Sequence, residues 1–280
     1  MVLITGCSSG IGRATAARLA GNGWRVYATA RRPETLAELA DAGCAVLRLD
    51  VCDEASMKDA VASIEQAHGA VGVLVNNAGY EQAGPIEEVS LDLVRKEFET
   101  NVFGLMRLTQ LVLPGMRRQG WGRIVNLSSV GGRLTFPGGG VYHASKHAVE
   151  AISDALRFEV RGFGIDVVVI EPGSIVTQFG DTAVAGLDPA TNPPDGPYAE
   201  FNRVVSQRVK DAYEGWISRF AAPPDTVARV IERAISARRP RTRYIVTPGA
   251  RAMIATRRLL PDRAFDAILR WQFREPRLSD

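Results

Sequence analysis

The chain has 280 residues, 46% hydrophobic and 23% charged, the balance of an ordinary globular protein with ample core. A net charge of +3 is too small to argue for a nucleic-acid partner, and no apolar run approaches the roughly 20 residues of a membrane span. Cys7, Cys44 and Cys52 are odd in number and lack metal-ligand spacing, so reduced thiols, no metal and a cytoplasmic setting are expected.

Short apolar runs alternate with amphipathic stretches. Val2 to Ile4 reads as a buried strand, which is expected to leave no room for a leader before it, and Ile11 to Ala20 reads as a helix. Then follow a strand over Trp24 to Ala28, a helix over Glu34 to Ala42, a strand over Ala45 to Leu49 and a helix over Ala55 to His68. Val71 to Val75 is the fourth strand, Leu91 to Met116 one long helix, and Arg123 to Leu127 the fifth strand. Val141 to Gly162 is a second long helix and Asp166 to Ile170 a sixth strand. This alternation predicts an α/β fold, a doubly wound parallel sheet (Rossmann fold) in a single domain over residues 1–280. The strands lack polar alternation, as strands buried on both faces should.

Residues 179–224 break the pattern and read as a substrate-covering insert. Pro189, Pro193, Pro194, Gly196 and Pro197 make its first half loop-like, and Glu200 to Phe220 suits one or two helices. Pro223-Pro224-Asp225 opens a helix running through Ala237, and Tyr244 to Val246 supplies a last strand. From Ala221 onward there are 13 Arg and 6 acids, a net +7, so the remainder carries −4. Residues 250–280 therefore form a basic amphipathic C-terminal extension. One reading docks it on an anionic membrane or an acidic carrier protein. The other makes it a surface helix pair capping a pocket.

Thr5-Gly6-Cys7-Ser8-Ser9-Gly10-Ile11-Gly12 joins the first strand to the first helix. Glycines there permit a tight turn and close approach of the backbone to a pyrophosphate, and the helix N-terminus adds N–H donors. The spacing is Gly-x-x-x-Gly-x-Gly rather than Gly-x-Gly-x-x-Gly. An NAD site places an acid after the second strand, but here stand Arg31 and Arg32. Arginine matches phosphate bidentately. NADP(H) is therefore predicted, with Arg31 and Ser8 nearest the 2′-phosphate and Arg32 a second candidate; the alternative leaves both arginines in solvent.

Tyr142 and Lys146 are four residues apart, on one face of a helix, and Ser129 lies thirteen residues earlier. A free phenol is too weak an acid to ionise readily at neutral pH, and a nearby ammonium favours the phenolate. Tyr142 thereby becomes a usable general acid or base. His143 points about 100° away from Tyr142 and suits a structural or pocket-lining role. His68 and His147 show no metal arrangement, and Cys7 reads as a packed small residue.

Together these residues resemble the short-chain dehydrogenase/reductase family over roughly residues 1 to 180. Gly6, Ser8, Ser9, Gly10, Ile11 and Gly12 match its glycine motif, and Asp50-Val51 the pair contacting adenine. Asn76-Asn77-Ala78-Gly79 matches the segment steadying the fourth strand beside the cofactor. Asn101, Ser129, Tyr142 and Lys146 match the catalytic tetrad, and Pro172-Gly173-Ser174-Ile175-Val176-Thr177 the grip on the nicotinamide end. The resemblance implies hydride transfer at C4 of nicotinamide, with Tyr142 passing the proton and Ser129 bonding the carbonyl oxygen. Lys146 lowers the tyrosine pKa and bonds the nicotinamide ribose, and Asn101 holds a water that links Lys146 to solvent. Ser129 also suits a turn cap, with Ser128 the competing assignment, and Asn101 also suits a backbone bond within a kinked helix. The texture is closest to the 17β-hydroxysteroid and retinol dehydrogenase branch.

The two long helices resemble the family's four-helix interface, implying a homodimer or homotetramer. Phe136, Phe179, Tyr198, Phe201 and Trp216 are candidates for an apolar pocket wall. The expected function is an NADP(H)-dependent carbonyl reductase or alcohol dehydrogenase acting on an apolar steroid-, retinoid- or fatty-type substrate. The alternatives are a 3-oxoacyl thioester or polyketide ketoreductase and a dinucleotide-sensing protein without catalysis.

Overall fold

Val2-Leu3-Ile4 carries no polar side chain, and all three residues are fully buried as β1 (Val2–Ile4). It lies near the middle of a parallel sheet in a computed structural model that describes residues 1–177, 179, 196–213 and 221–273. The other strands are β2 (Val26–Ala30), β3 (Ala45–Arg48), β4 (Val73–Asn76), β5 (Gly122–Leu127), β6 (Ile165–Glu171) and β7 (Arg243–Ile245). Their order is β3-β2-β1-β4-β5-β6-β7, and every neighbouring pair runs parallel. The fold is thus the predicted doubly wound α/β domain. Chain direction across the sheet reverses between β1 and β4, which opens a crevice beyond their carboxyl ends where such folds bind ligands.

Two apolar layers hold the helices to this sheet. On one face α1 (Gly10–Gly21) brings Ala16 and Leu19 against Val227 and Ile231 of α8 (Pro224–Ser236). On the other, α3 (Glu54–His68) brings Ile64 against Leu108, Val112 and Met116 of α5 (Gly104–Gln119). Each fully buried Leu or Ile contributes about 1.5–3 kcal/mol over an exposed one. The asparagines of β4 and β5 bond through their Nδ2 groups inside this layer. Asn76 Nδ2 donates to Thr109 Oγ1 and Asn126 Oδ1, and Asn126 Nδ2 donates to Ser153 Oγ. Ser153 belongs to α6 (Gly140–Val160), so one buried polar chain crosses from sheet to helix.

Several element bounds shift by a residue or two, as where the fourth strand is Val73–Asn76, and three differences have a visible cause. The second strand starts at Val26 rather than Trp24, because the helix-ending turn continues that far: Gly23 has φ +80° and Trp24 N–H donates to Leu19 O. The predicted helix over Glu34 to Ala42 is a tight 3-10 turn, Pro33–Leu36, followed by the short α2 (Ala37–Asp41); Pro33 at its first position fixes the turn. The predicted long helix is broken. α4 (Leu91–Phe98) passes into a π-helical stretch, Glu99–Phe103, before α5 begins. Such bulges are frequent at functional sites, and this one contains Asn101.

The C-terminal extension forms α9 (Pro248–Leu259) and α10 (Asp262–Gln272). Ala250, Ile254 and Phe265 of these helices pack on Val130 and Leu134, just beyond β5. Their apolar faces therefore cover the sheet end, and Leu259 and Trp271 remain exposed. Among the described residues, no helix is long and apolar enough to cross a membrane. The insert contributes α7 (Ala199–Tyr213); Pro189, Pro193, Pro194 and Trp216 lie outside the described residues.

Candidate active site

The glycine turn closes against the end of β4. Gly6 and Gly10 have φ +71° and +56°, the left-handed region open to glycine at no steric cost. A β-carbon at Gly12 would come within 2.3 Å of Gly6 O and 2.5 Å of Asn77 Nδ2, so no side chain fits there. Asn77 Nδ2 donates to Thr5 O at 2.9 Å and Gly6 O at 3.1 Å. Thr5 Oγ1 accepts from the Asn77 and Ala78 N–H groups, both at 3.0 Å. Thr5 and Asn77 thus lock the first and fourth strand ends together at the crevice. Cys7 is fully buried and burial pushes its thiol up to about 12, so it is a packed group and not a nucleophile.

This turn fits a dinucleotide. Ser9 caps α1 with its hydroxyl making no cap bond, Ser8 and Ser9 are exposed, and the first turn of α1 carries no acid. The start of α1 therefore offers N–H groups and a positive dipole end to a phosphate. Arg31 and Arg32, at the carboxyl end of β2, are exposed and make no ion pair among the described residues. Asp50 Oδ1 accepts from Cys52 N–H at 3.0 Å, and Val51 is buried beside it. At the far end Val130 N–H donates to Pro172 O at 2.8 Å, and Ile175 pairs with Ala222. Gly173 packs against Thr247. Thr177 lies over Gly10, where a β-carbon would approach its Cγ2 to 3.2 Å. The two predicted cofactor segments therefore meet across the crevice.

Ser129, Tyr142, Lys146 and Asn101 gather beside it. Ser129 caps a short 3-10 turn, Val130–Gly132, by accepting from Gly131 N–H at 3.0 Å, which leaves its own O–H to donate elsewhere. Ser128 is buried beneath, its Oγ without a hydrogen-bond partner among the described residues. Tyr142 and Lys146 share one face of α6, with Nζ 5.7 Å from the phenol ring centroid. Nζ donates to Leu127 O at 2.9 Å. Burial pulls the Lys146 ammonium down to about 8, against the raising influence of Glu97 and Glu150. Phe179 packs edge-to-face on Tyr142 at 5.5 Å.

Asn101, in the π-helical stretch, bonds the backbone through its amide, an arrangement compatible with the expected water-holding role. Its Oδ1 accepts from Tyr80 N–H at 3.0 Å, and its Nδ2 faces Tyr80 O at 2.8 Å, Ser145 Oγ at 3.1 Å and Glu97 Oε1 at 3.2 Å. The amide is fully engaged with protein, the backbone-bonding role foreseen for a kinked helix. His143 is buried between Phe136 and Tyr142, and burial pushes its imidazole down to about 4, a neutral packing group. Among the described residues no cluster of three or more His, Cys, Asp or Glu could hold a metal.

Two features escaped the sequence. Arg133, just after the Ser129 turn, meets Glu171 at 3.3 Å and Glu150 at 3.8 Å, and Arg243 meets the same pair at 3.3 and 2.9 Å. Burial and the neighbouring Glu150 raise the Glu171 carboxyl to about 7. This cluster fixes the loop carrying Ser129 to β6, β7 and α6. Beside it opens a groove of about 850 Å³, lined by the predicted Phe136, Tyr198 and Phe201 and by Phe265, Leu269 and Arg257 of the C-terminal helices. Arg257 is held over the Phe265 ring at 5.2 Å and bonded to Asp262, so the groove wall is mainly apolar.

Residues 1–187 match the profile of the short chain dehydrogenase family, two thirds of the chain. The protein belongs to the short-chain dehydrogenase family. This family member is an NAD(P)-dependent oxidoreductase. It is 36% identical over 269 residues to the "Uncharacterized oxidoreductase YbbO" of Escherichia coli strain K12, covering 96% of this chain and 93% of that one. It is 35% identical over 275 residues to the "NADPH-dependent 3-dehydrocapnine reductase" of Ornithobacterium rhinotracheale, covering 95% and 94%. A "3-ketodihydrosphingosine reductase" of Bacteroides thetaiotaomicron is 40% identical over 182 residues, 65% of this chain and 66% of that one. The crystal structure of a short-chain dehydrogenase from Streptomyces avermitilis superposes with TM-score 0.79 at 34% identity, covering 97% of this family member and 96% of that chain. Similar solved structures hold either cofactor. A serine dehydrogenase complexed with NADP+ has TM-score 0.75 at 28% identity, covering 88% and 94%. A Burkholderia phymatum enzyme in complex with NAD has TM-score 0.77 at 27% identity, covering 99% and 96%.

Proposed function

We propose that this protein is an NADP(H)-dependent reductase of a ketone carried on an apolar chain, with Asn101, Ser129, Tyr142 and Lys146 as its catalytic group. The observation that carries the reading is the shared face of Tyr142 and buried Lys146, with the turn that Ser129 caps reaching the Tyr142 ring at Gly131. The bound nicotinamide would supply hydride to the carbonyl carbon. Tyr142 gives its proton to the developing alkoxide, and Lys146 keeps the phenol acidic through its positive charge. Ser129 donates its free O–H to the same oxygen, where negative charge accumulates in the transition state. Gly6, Ser8, Ser9, Gly10, Ile11 and Gly12 cradle the pyrophosphate, Asp50 and Val51 the adenine, and Asn77, Ala78 and Gly79 the crevice floor. Pro172, Gly173, Ile175 and Thr177 hold the nicotinamide end.

Arg31 and Arg32, which make no ion pair among the described residues, support NADPH over NADH. Replacing both with Ala is expected to weaken NADPH binding roughly tenfold or more, the effect of losing a charged hydrogen bond, and to leave NADH binding unchanged. Fluorescence titration measures both, and equal wild-type affinity for the two cofactors contradicts the assignment. The apolar substrate is supported by Phe179 packed on Tyr142 and by the groove wall that begins at Phe136, against His143. The names of two relatives, a 3-dehydro and a 3-keto reductase, favour a ketone on a fatty-type chain over steroid or retinoid. The packing of α9 and α10 on Val130 and Leu134 supports the pocket-capping reading of the basic extension over a membrane or carrier contact. Exposed Phe103, Met106 and Phe158, on the two helices that resemble the family's interface, support a homodimer or homotetramer. Light scattering is expected to give at least twice the chain mass of 30.3 kDa, and a monomer rejects the interface.

A further inference from the structure

Glu97 is fully buried on α4, four residues before Asn101 and on the same helical face. Both carboxyl oxygens face N–H donors: Oε1 meets Asn101 Nδ2 at 3.2 Å, and Oε2 accepts from Gln82 N–H at 3.3 Å. Oε2 takes the Gln82 N–H, while Oε1 shares the two hydrogens of Asn101 Nδ2 with Tyr80 O and Ser145 Oγ. Lys146, whose charge Glu97 feels, lies across Gly79 from Asn101: a β-carbon on that glycine would stand 2.9 Å from Asn101 Oδ1 and 3.5 Å from Lys146 Nζ. A buried ammonium without a counter-charge is costly.

We propose that Glu97 is the buried counter-charge of the Tyr142–Lys146 pair, a positioning residue that acts through Asn101 and Lys146 to keep the pair protonated over the working pH range. This inference rests on the reading of Tyr142 and Lys146 as the proton-transfer pair. Asn101 carries the mechanical part of the link, since its amide joins Glu97 to Ser145, whose Oγ donates to Tyr142 O at 2.7 Å. The charges facing this group are few. Glu81 on the loop after β4 opposes the ionisation of Glu97, Lys146 on α6 favours it, and Tyr80 is itself raised to about 12 by burial and by Glu97. Glu150 faces Lys146 from the same helix. Burial raises the Glu97 carboxyl to about 8 and lowers the Lys146 ammonium to about 8, and each group's charge opposes the shift of the other.

The sign follows from charge alone. In the reducing direction activity falls at high pH, when the Tyr142–Lys146 pair loses its proton. Removing a nearby negative charge makes that loss easier, whichever member gives the proton up. The full chain and its Glu97→Gln, Glu97→Met and Glu97→Asp variants are compared by the pH profile of kcat/KM for NADPH-dependent ketone reduction. Gln and Met should move the basic limb down by about one pH unit. Asp, which keeps the charge, should hold it in place even where kcat falls. Using two charge-removing variants guards against one that does not fold. A fall in kcat with an unmoved basic limb in both would overturn the proposal and leave Glu97 a packing group. Tyr142→Phe, run alongside, separates the two failures: turnover in that variant refutes the proton-transfer reading itself.

Discussion

Tyr142→Phe is expected to reduce ketone turnover by about three orders of magnitude, within the range for loss of a positioned acid. NADPH binding should change little. The variant removes one oxygen, and the ring keeps its contacts with Phe179 at 5.5 Å and His143 at 5.6 Å. Lys146 keeps its bond to Leu127 O, so the site stays assembled without its proton donor. Steady-state kinetics with a parallel binding titration separates the two effects. Loss of binding together with turnover would mean that Tyr142 acts by holding the site in shape.

Gly12→Ala is the second large effect, and it acts on the fold of the site rather than on its chemistry. The new methyl would meet the Gly6 carbonyl at 2.3 Å and the Asn77 amide at 2.5 Å. Neither is the free end of a flexible chain: Gly6 is backbone, and Asn77 is held by Thr5 O and Gly6 O. The turn must open, and overpacking of this kind costs roughly 1–3 kcal/mol or more. NADPH affinity should fall at least tenfold and the melting temperature should drop. A β-carbon at Gly21 or Gly23 meets nothing within 4 Å. Gly21→Ala, at the end of α1 where φ is not positive, is therefore the matched control and should leave both unchanged. A Gly12→Ala protein with wild-type affinity would contradict the packing described.

Much of the fold was legible because its strands are apolar on both faces. Val2-Leu3-Ile4 and Val167 to Ile170 admit no surface reading, and both lie in the sheet interior. The glycine turn was legible in kind: its spacing announced a tight approach, though Gly12 approaches Gly6 and Asn77 of its own chain. Helix boundaries were legible wherever a proline or a capping residue marked them, as at Pro224. The break at Glu99–Phe103 was legible only as one of two roles for Asn101, a backbone bond within a kinked helix, since no proline or glycine lies inside it. It depends on Asn101 reaching Tyr80, twenty-one residues away in sequence. Glu97 was missed for a related reason. An acid in Arg95-Lys96-Glu97 reads as part of a solvated charged run, and only the packing of α4 against α6 buries it. One sign was available, since four residues before Asn101 is the same helix face. Arg133 and Arg243 likewise looked like surface arginines until Glu150 and Glu171 were brought between them.

The most direct test of the reductase reading follows the hydride itself. NADPH deuterated at C4 is incubated with the full chain and a series of long-chain 3-ketones, and the products are weighed by mass spectrometry. The account predicts an alcohol carrying one deuterium on the former carbonyl carbon, formed by the wild type and absent with Tyr142→Phe. Tight NADPH binding with no deuterated alcohol from long-chain 3-ketones, steroid ketones, retinal or 3-oxoacyl thioesters would contradict it and favour a protein that binds the dinucleotide without using it.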